Sequence, residues 1–234
     1  MQNPVEFFKN LCDLENLEKI ALGAFCRGNL GELFLEYSEN ESLRLEDGRV
    51  QAPTFSSSNG FGLRTFREDT ARYSYSSVLT PDSMKKAVNF VQSDVQGSRN
   101  CEIKNVALPK SLYSSAHFIN DLSLEKKINF LKKIDQYARA KSPLVKQVNA
   151  ALVSSWKIIE ILTEKGSRVF DVRPLVRLTV SVVTEKDGKM ESGFYSGGGR
   201  YGYEKIVNEE TKKLFVDEAV QMAIVKLDAQ KAPV

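Results

Sequence analysis

A chain of 234 residues is long enough to bury a self-supporting core without a structural metal or a disulfide framework. Lys plus Arg is 33 and Asp plus Glu is 30, a formal charge of +3, and 42% hydrophobic with 27% charged residues argues against disorder, collagen and coiled coil. No run approaches the roughly 18 apolar residues of a membrane span, and the start, Met1 to Asn10, has no basic leader followed by an apolar stretch, so a cytoplasmic protein without membrane association is expected.

Residues 4–26 carry Phe7, Leu11, Leu14, Leu17, Ile20 and Leu22 at roughly helical spacing, with Pro4 near the start and Gly28 and Gly31 bracketing the exit. From Glu32 to Ser77 the pattern changes to short strands. Leu33, Leu35 and Tyr37 alternate in one, Ser42 to Glu46 alternates again, Asp47-Gly48 supplies a two-residue hairpin turn and Ser56 to Gly60 a further turn, so about five strands fit before residue 78. Thr80-Pro81-Asp82 starts a helix: the threonine hydroxyl accepts an orphan N–H, proline takes the first helical position, and the acid sits near the positive end. Met84, Ala87, Val88 and Val91 form its buried face. Residues 96–122, with Gly97, Pro109 and several serines, read as a linker between two sub-halves, 1–95 and 123–234.

Ser123 caps a second long helix in which Leu124, Ile128, Leu131, Ile134 and Ala138 recur at helical spacing, and Pro143 stops it. Its lysines, Lys126, Lys127, Lys132 and Lys133, are read as a solvated face rather than a nucleic-acid surface, because no aromatic platform is interleaved. Four strands follow, Val145 to Val153, Trp156 to Thr163, Arg168 to Thr184 and Lys189 to Ser196, the last two joined by Asp187-Gly188. A final helix runs from near Asn208 to about Asp228 with Val216, Ala219, Val220, Ala223 and Leu227 inward. The order gives an α+β fold, an antiparallel sheet or sheets covered by helices. Each half holds an Asp-Gly hairpin and a Gly-x-Gly stretch, but identity between the halves is too low to settle whether they are copies.

The histidine count restricts chemistry most, since His117 is the only one. Neither an H-E-x-x-H zinc helix nor a two-His iron site can be assembled from it, and no nucleophile motif stands beside it, so a partly buried or surface role is expected. Cys12, Cys26 and Cys101 form an odd, widely spaced set that suits a reducing compartment. Gly197-Gly198-Gly199-Arg200-Tyr201-Gly202 matches G-x-G-x-x-G letter for letter, but the segment before it is polar and follows a hairpin, whereas a dinucleotide-binding turn follows a buried parallel strand. The better reading is a loop where chain approaches chain, with Arg200 as a fixed cation at a domain interface or the rim of a substrate groove.

Five separated segments carry a resemblance: Leu45-Glu46-Asp47-Gly48, Ser58 to Arg64, Asp135 to Arg139, Arg173 to Leu178 and Gly197 to Glu204. In this order, over nearly the whole chain, they resemble the TldD/PmbA family and specifically its TldD branch. The resemblance implies that these 234 residues are an N-terminal domain, that the catalytic C-terminal domain with its H-E-x-x-x-H zinc motif is absent from them, and that zinc belongs to the full-length protein, no cofactor being expected in this segment. It further implies a PmbA/TldE-like partner subunit, unfolded peptides as substrate, and a peptidase that this segment cannot perform alone. Gly197, Gly198, Gly199, Arg200, Tyr203 and Arg177 are the residues expected at the substrate or domain interface; no catalytic or metal-binding residue is expected. A standalone peptide- or partner-binding protein is the alternative.

Overall fold

The computed structural model describes residues 4–25, 30–67, 69–92, 113, 114 and 116–230. Most of the expected linker, together with Cys26, Gly28, Gly97, Cys101 and Pro109, lies outside the described residues. The helices are α1 (Pro4–Leu11), α2 (Leu14–Phe25), α3 (Pro81–Val91), α4 (Leu124–Lys141) and α5 (Glu209–Leu227), with a short 3-10 turn at Tyr203–Lys205. The strands are β1 (Leu30–Glu46), β2 (Arg49–Val50), β3 (Thr54–Arg67), β4 (Thr70–Ser76), β5 (Val145–Thr163), β6 (Arg168–Lys186) and β7 (Lys189–Gly199). They form one antiparallel sheet in the order β4-β3-β1-β5-β6-β7, with β2 on β1. The α+β fold expected from the sequence is therefore the fold observed.

The turn chemistry operates as anticipated. Asp47 and Gly48, and again Asp187 and Gly188, take positive φ at both central positions, the two-residue turn whose twist matches the strands it joins. Register follows, with Glu46 opposite Arg49 and Lys186 opposite Lys189. Helix starts match too: Thr80 Oγ1 accepts from the Ser83 N–H, Ser123 Oγ from Lys126 and Asn208 Oδ1 from Thr211.

Three expected boundaries differ. The single helix over 4–26 is two, broken at Cys12 and Asp13, where the Asp13 carbonyl accepts the Leu17 N–H and its carboxylate the Asn16 amide, opening a new helix. Two short strands become the 17-residue β1, because Ser38 and Glu41 have side-chain partners on other elements: Ser38 Oγ lies 2.9 Å from Ser58 Oγ and Glu41 pairs with the buried Lys127. Likewise Val145 to Val153 and Trp156 to Thr163 are one 19-residue strand, β5, since the Ser154 hydroxyl is enclosed and hydrogen-bonded instead of marking a bend.

Two compact units divide the chain, each drawing on both sides of residues 96–122. Unit 1 comprises residues 1–39, 57–116 and 157–173 and packs α2 against α3. Its buried residues include Leu17 and Ala21 from α2, Met84 and Val88 from α3, and Leu33 and Leu35 from β1. Unit 2 comprises residues 40–56, 117–156 and 174–234, with α4 against α5 and α5 on β7. There Leu131 and Ile134 of α4, Val216 and Ala219 of α5, and Val180 and Val182 of β6 are buried. At Gly193 the backbone of α5 lies almost on the strand, and a Cβ added there would sit 2.1 Å from the Ala219 carbonyl oxygen and 2.6 Å from the Ala223 nitrogen.

Candidate functional site

All six interface residues named from the sequence fall in unit 2. Gly197, Gly198 and Gly199 are the last residues of β7, not a loop, and Gly198 stands opposite Arg177 in the β6 register. The glycines answer to close approach: a Cβ at Gly198 would meet the Val176 carbonyl oxygen at 2.0 Å, and one at Gly197 the Phe215 ring at 2.9 Å. Because strand residues alternate between faces, Gly193, Tyr195 and Gly197 turn toward α5 while Phe194, Ser196 and Gly198 turn away with Arg177 and Thr179. Arg177 is exposed on that open face. Its Nε donates to Ser196 Oγ at 2.8 Å, and Ser196 in turn donates to the Leu178 carbonyl. Arg200 reaches the Pro174 carbonyl at 3.5 Å.

Arg177 also lines an open groove of about 460 Å³, with Arg44 and Glu46 from β1, Asn149 and Ala151 from β5, and Thr179 from β6. A second depression of about 450 Å³ shares Arg44 and Glu46. The lining combines two guanidinium groups with small and hydroxyl-bearing residues such as Ala151, Thr179 and Ser181, and an arginine fork can bind a carboxylate or a backbone carbonyl.

Tyr203 is elsewhere: it is only 3% exposed, at the start of the 3-10 turn that follows the glycines. Its hydroxyl donates to Glu41 Oε2 and accepts from Ser154, whose oxygen is 2.6 Å away. Lys127 completes the cluster. The ammonium lies 2.6 Å from Glu41 Oε2, 2.7 Å from the Ile119 carbonyl and 4.4 Å from the Tyr203 ring centre. Burial, and then the hydrogen bond to Glu41, hold the Tyr203 phenol far above its ordinary range, so it is a fixed donor and not an acid. The expectation that Lys127 belongs to the solvated face of α4 is corrected here: it sits on the stripe with Phe130, Leu131 and Ile134, stabilised by its carboxylate partner. The network ties the chain after the glycines to α4 and β1, and so fixes the register of the segment containing Arg200. His117 packs its ring edge-on against Trp156, 4.7 Å between centres.

Among the described residues no set of three or more His, Cys, Asp or Glu side chains is arranged to hold a metal ion. The described donors are otherwise engaged: His117 packs against Trp156, Glu41 faces the Lys127 ammonium, and the enclosed Glu18 and Glu160 face the Arg168 guanidinium. The described side chains therefore do not fit a zinc ion. No described helix is long and apolar enough to cross a membrane.

Residues 31–92 match the family model described as PmbA/TldA metallopeptidase domain 1, and residues 119–227 match the one described as PmbA/TldA metallopeptidase central domain. The chain is 32% identical over 210 residues to the metalloprotease TldD homolog of Haemophilus influenzae, covering 86% of this chain and 44% of that protein. It is 28% identical over 219 residues to the metalloprotease TldD homolog of Buchnera aphidicola subsp. Schizaphis graminum, covering 89% and 45%. The chain thus spans less than half the length of these curated relatives. Solved structures share the fold. A candidate modulator of DNA gyrase from Thermotoga maritima superposes with a TM-score of 0.73 at 17% identity, over 94% of this chain and 49% of that one. TldE from Thermococcus kodakarensis gives 0.64 at 19% identity, over 89% and 46%.

Proposed function

The chain belongs to the PmbA/TldD metallopeptidase family, and from that premise we propose that it is the N-terminal, non-catalytic portion of a TldD-type protease. In this reading it assembles with a PmbA/TldE-type subunit in the cytoplasm and confines unfolded peptide, while the zinc that activates water belongs to residues outside these 234. One observation carries the reading: the matched models are domain 1 and the central domain of a metallopeptidase, and the chain covers 44% of the length of its Haemophilus influenzae relative.

The geometry supports a peptide-confining role. Strands β4 and β7 are the terminal strands of the sheet order, so each has one edge that no described strand pairs. Addition of an extended peptide to such an edge uses backbone hydrogen bonds, which suit any unfolded sequence and exclude folded chains whose backbones are already paired. The groove beside Arg44 and Arg177 supports a second anchor for peptide carbonyl or carboxylate groups.

A labelled unfolded peptide titrated against the purified chain, alone and then with a TldE-type subunit and the second half of a TldD-type protein, tests the proposal. Binding and cleavage only in the complete mixture are expected. Micromolar binding by the chain alone, unchanged by the additions, would instead favour a standalone binding protein.

A further inference from the structure

Unit 1 holds a group of charges that the candidate site does not use. Glu18 on α2 and Glu160 on β5 are both fully enclosed, and Arg168 at the start of β6 reaches both. Its Nη2 pairs with Glu18 Oε2, and its Nε lies 3.2 Å from Glu160 Oε1. Glu18 Oε1 and both Glu160 oxygens find no hydrogen-bonding partner among the described residues, although the two carboxyl groups are within hydrogen-bonding reach of each other. Two acceptor-only carboxylates in contact leave their facing lone pairs unsatisfied; one proton between them satisfies both.

Charge counting gives the same answer. One guanidinium cannot neutralise two enclosed carboxylates, and an uncompensated buried charge is so costly that the group takes up a proton. Among the described residues, Arg168 is the cation paired with either carboxylate. The turn between α1 and α2 contributes Cys12 and Asp13, and α2 contributes Glu15, which is paired with Lys9 of α1. Buried positions of neighbouring elements include the apolar Leu33 and Leu35 on β1, Phe170 and Val172 on β6, and Met84 and Val88 on α3, with Ser38 on β1 as an uncharged polar one.

We propose that Glu18 and Glu160 share a single proton at neutral pH, with Arg168 closing the pair, so that the docking of α2 on the strands of unit 1 is proton-dependent. Loss of the proton leaves two facing carboxylates and drives α2 away from β5. Consistent with this, burial, then the hydrogen bond to Glu18 and its charge, push the Glu160 carboxyl up to about 9 against the opposing pull of Arg168. Its ordinary value is 4.5, so between these limits the folded state holds a proton that the unfolded chain does not. Stability from this group is then fully present below about 4.5, falls as pH rises, and is lost above about 9.

The test uses the full chain. In a carboxyl carbon NMR titration, one glutamate signal should titrate near pH 9 and be missing from Glu160→Gln. In urea unfolding, the folding constant of the wild type relative to Glu160→Gln should fall roughly tenfold per pH unit up to that point and then level off. Amide protection in α2 should drop above pH 9 while that of α5 holds. Every glutamate titrating below about pH 6, parallel stability curves for the two proteins, or unchanged α2 protection at pH 10 would overturn the proposal. The wild-type NMR titration decides alone if the variant does not fold.

Discussion

Replacing Lys127 by Met tests the enclosed network beneath the glycine segment. The side chain is 2% exposed and its Glu41 partner 13%, so the substitution strands a carboxylate that retains only the Tyr203 hydroxyl, and frees the Ile119 carbonyl. Removing one partner of a buried ion pair costs about 3–5 kcal/mol, because the remaining charge is uncompensated. For a chain of this size each kcal/mol lowers the melting temperature by about 2–4 °C, which gives a fall of roughly 6–20 °C. Trp156 is the only tryptophan, is fully buried and lies in the same unit, so its fluorescence during urea unfolding reports the event directly. The double variant Lys127→Met with Glu41→Gln should recover more than half of the loss, since a neutral amide needs no cation. A single variant within about 1 kcal/mol of wild type, or a double variant no more stable than the single, would refute the assignment of a buried ion pair.

Gly193→Ala should destabilise by about 1–3 kcal/mol or more, because its Cβ meets α5 backbone that cannot yield without lifting the helix. Gly23→Ala is the control: nothing lies within 4 Å, the site is in the last turn of α2, and a gain of up to roughly 0.5–1 kcal/mol is expected in the same denaturation assay. The raised phenol of Tyr203 predicts that wild type and Tyr203→Phe show equal phenolate absorbance gain from pH 9 to 11 while folded. Unfolded tyrosines ionise near 10, so stability contributed by Tyr203 declines above that pH; a larger gain in the wild type would show that the hydroxyl is accessible. In a protein with the relatives' full length, Arg200→Ala should cut peptidase activity far more than it lowers the melting temperature, and equal losses would mean that the segment only supports the fold.

Much of the architecture was legible because it rests on local chemistry. Asp-Gly at 47–48 and 187–188 can take the left-handed conformation cheaply, Thr80, Ser123 and Asn208 offer short side-chain acceptors, and these residues set hairpins and helix starts without help from distant parts of the chain. Strand lengths were less legible. Ser38, Glu41 and Ser154 look like turn residues until their partners across the fold are known, and those partners are 20, 86 and 49 positions away in sequence. The candidate site divides in the same way. Close approach at Gly197 and Gly198 could be read from residue type, whereas the enclosure of Tyr203 depends on Lys127 and Glu41, two residues whose charge suggested solvent.

A usable signal for those buried charges was nevertheless present, in phase rather than composition. Glu41 has the strand parity of Leu43 and Leu45; Glu160 has that of Ile158 and Leu162; Lys127 shares a helical stripe with Leu131 and Ile134, and Glu18 with Leu14 and Ala21. A charge in the apolar phase must find an opposite charge or change its protonation, since the interior does not tolerate it otherwise. Unit 2 meets the first condition with one ammonium for Glu41. Unit 1 has Arg168 for both Glu18 and Glu160, and the shortfall of one positive charge is what requires a proton there. Alkali that removes this proton leaves two facing carboxylates with one guanidinium between them, so the attachment of α2 to the strands of unit 1 weakens as pH rises.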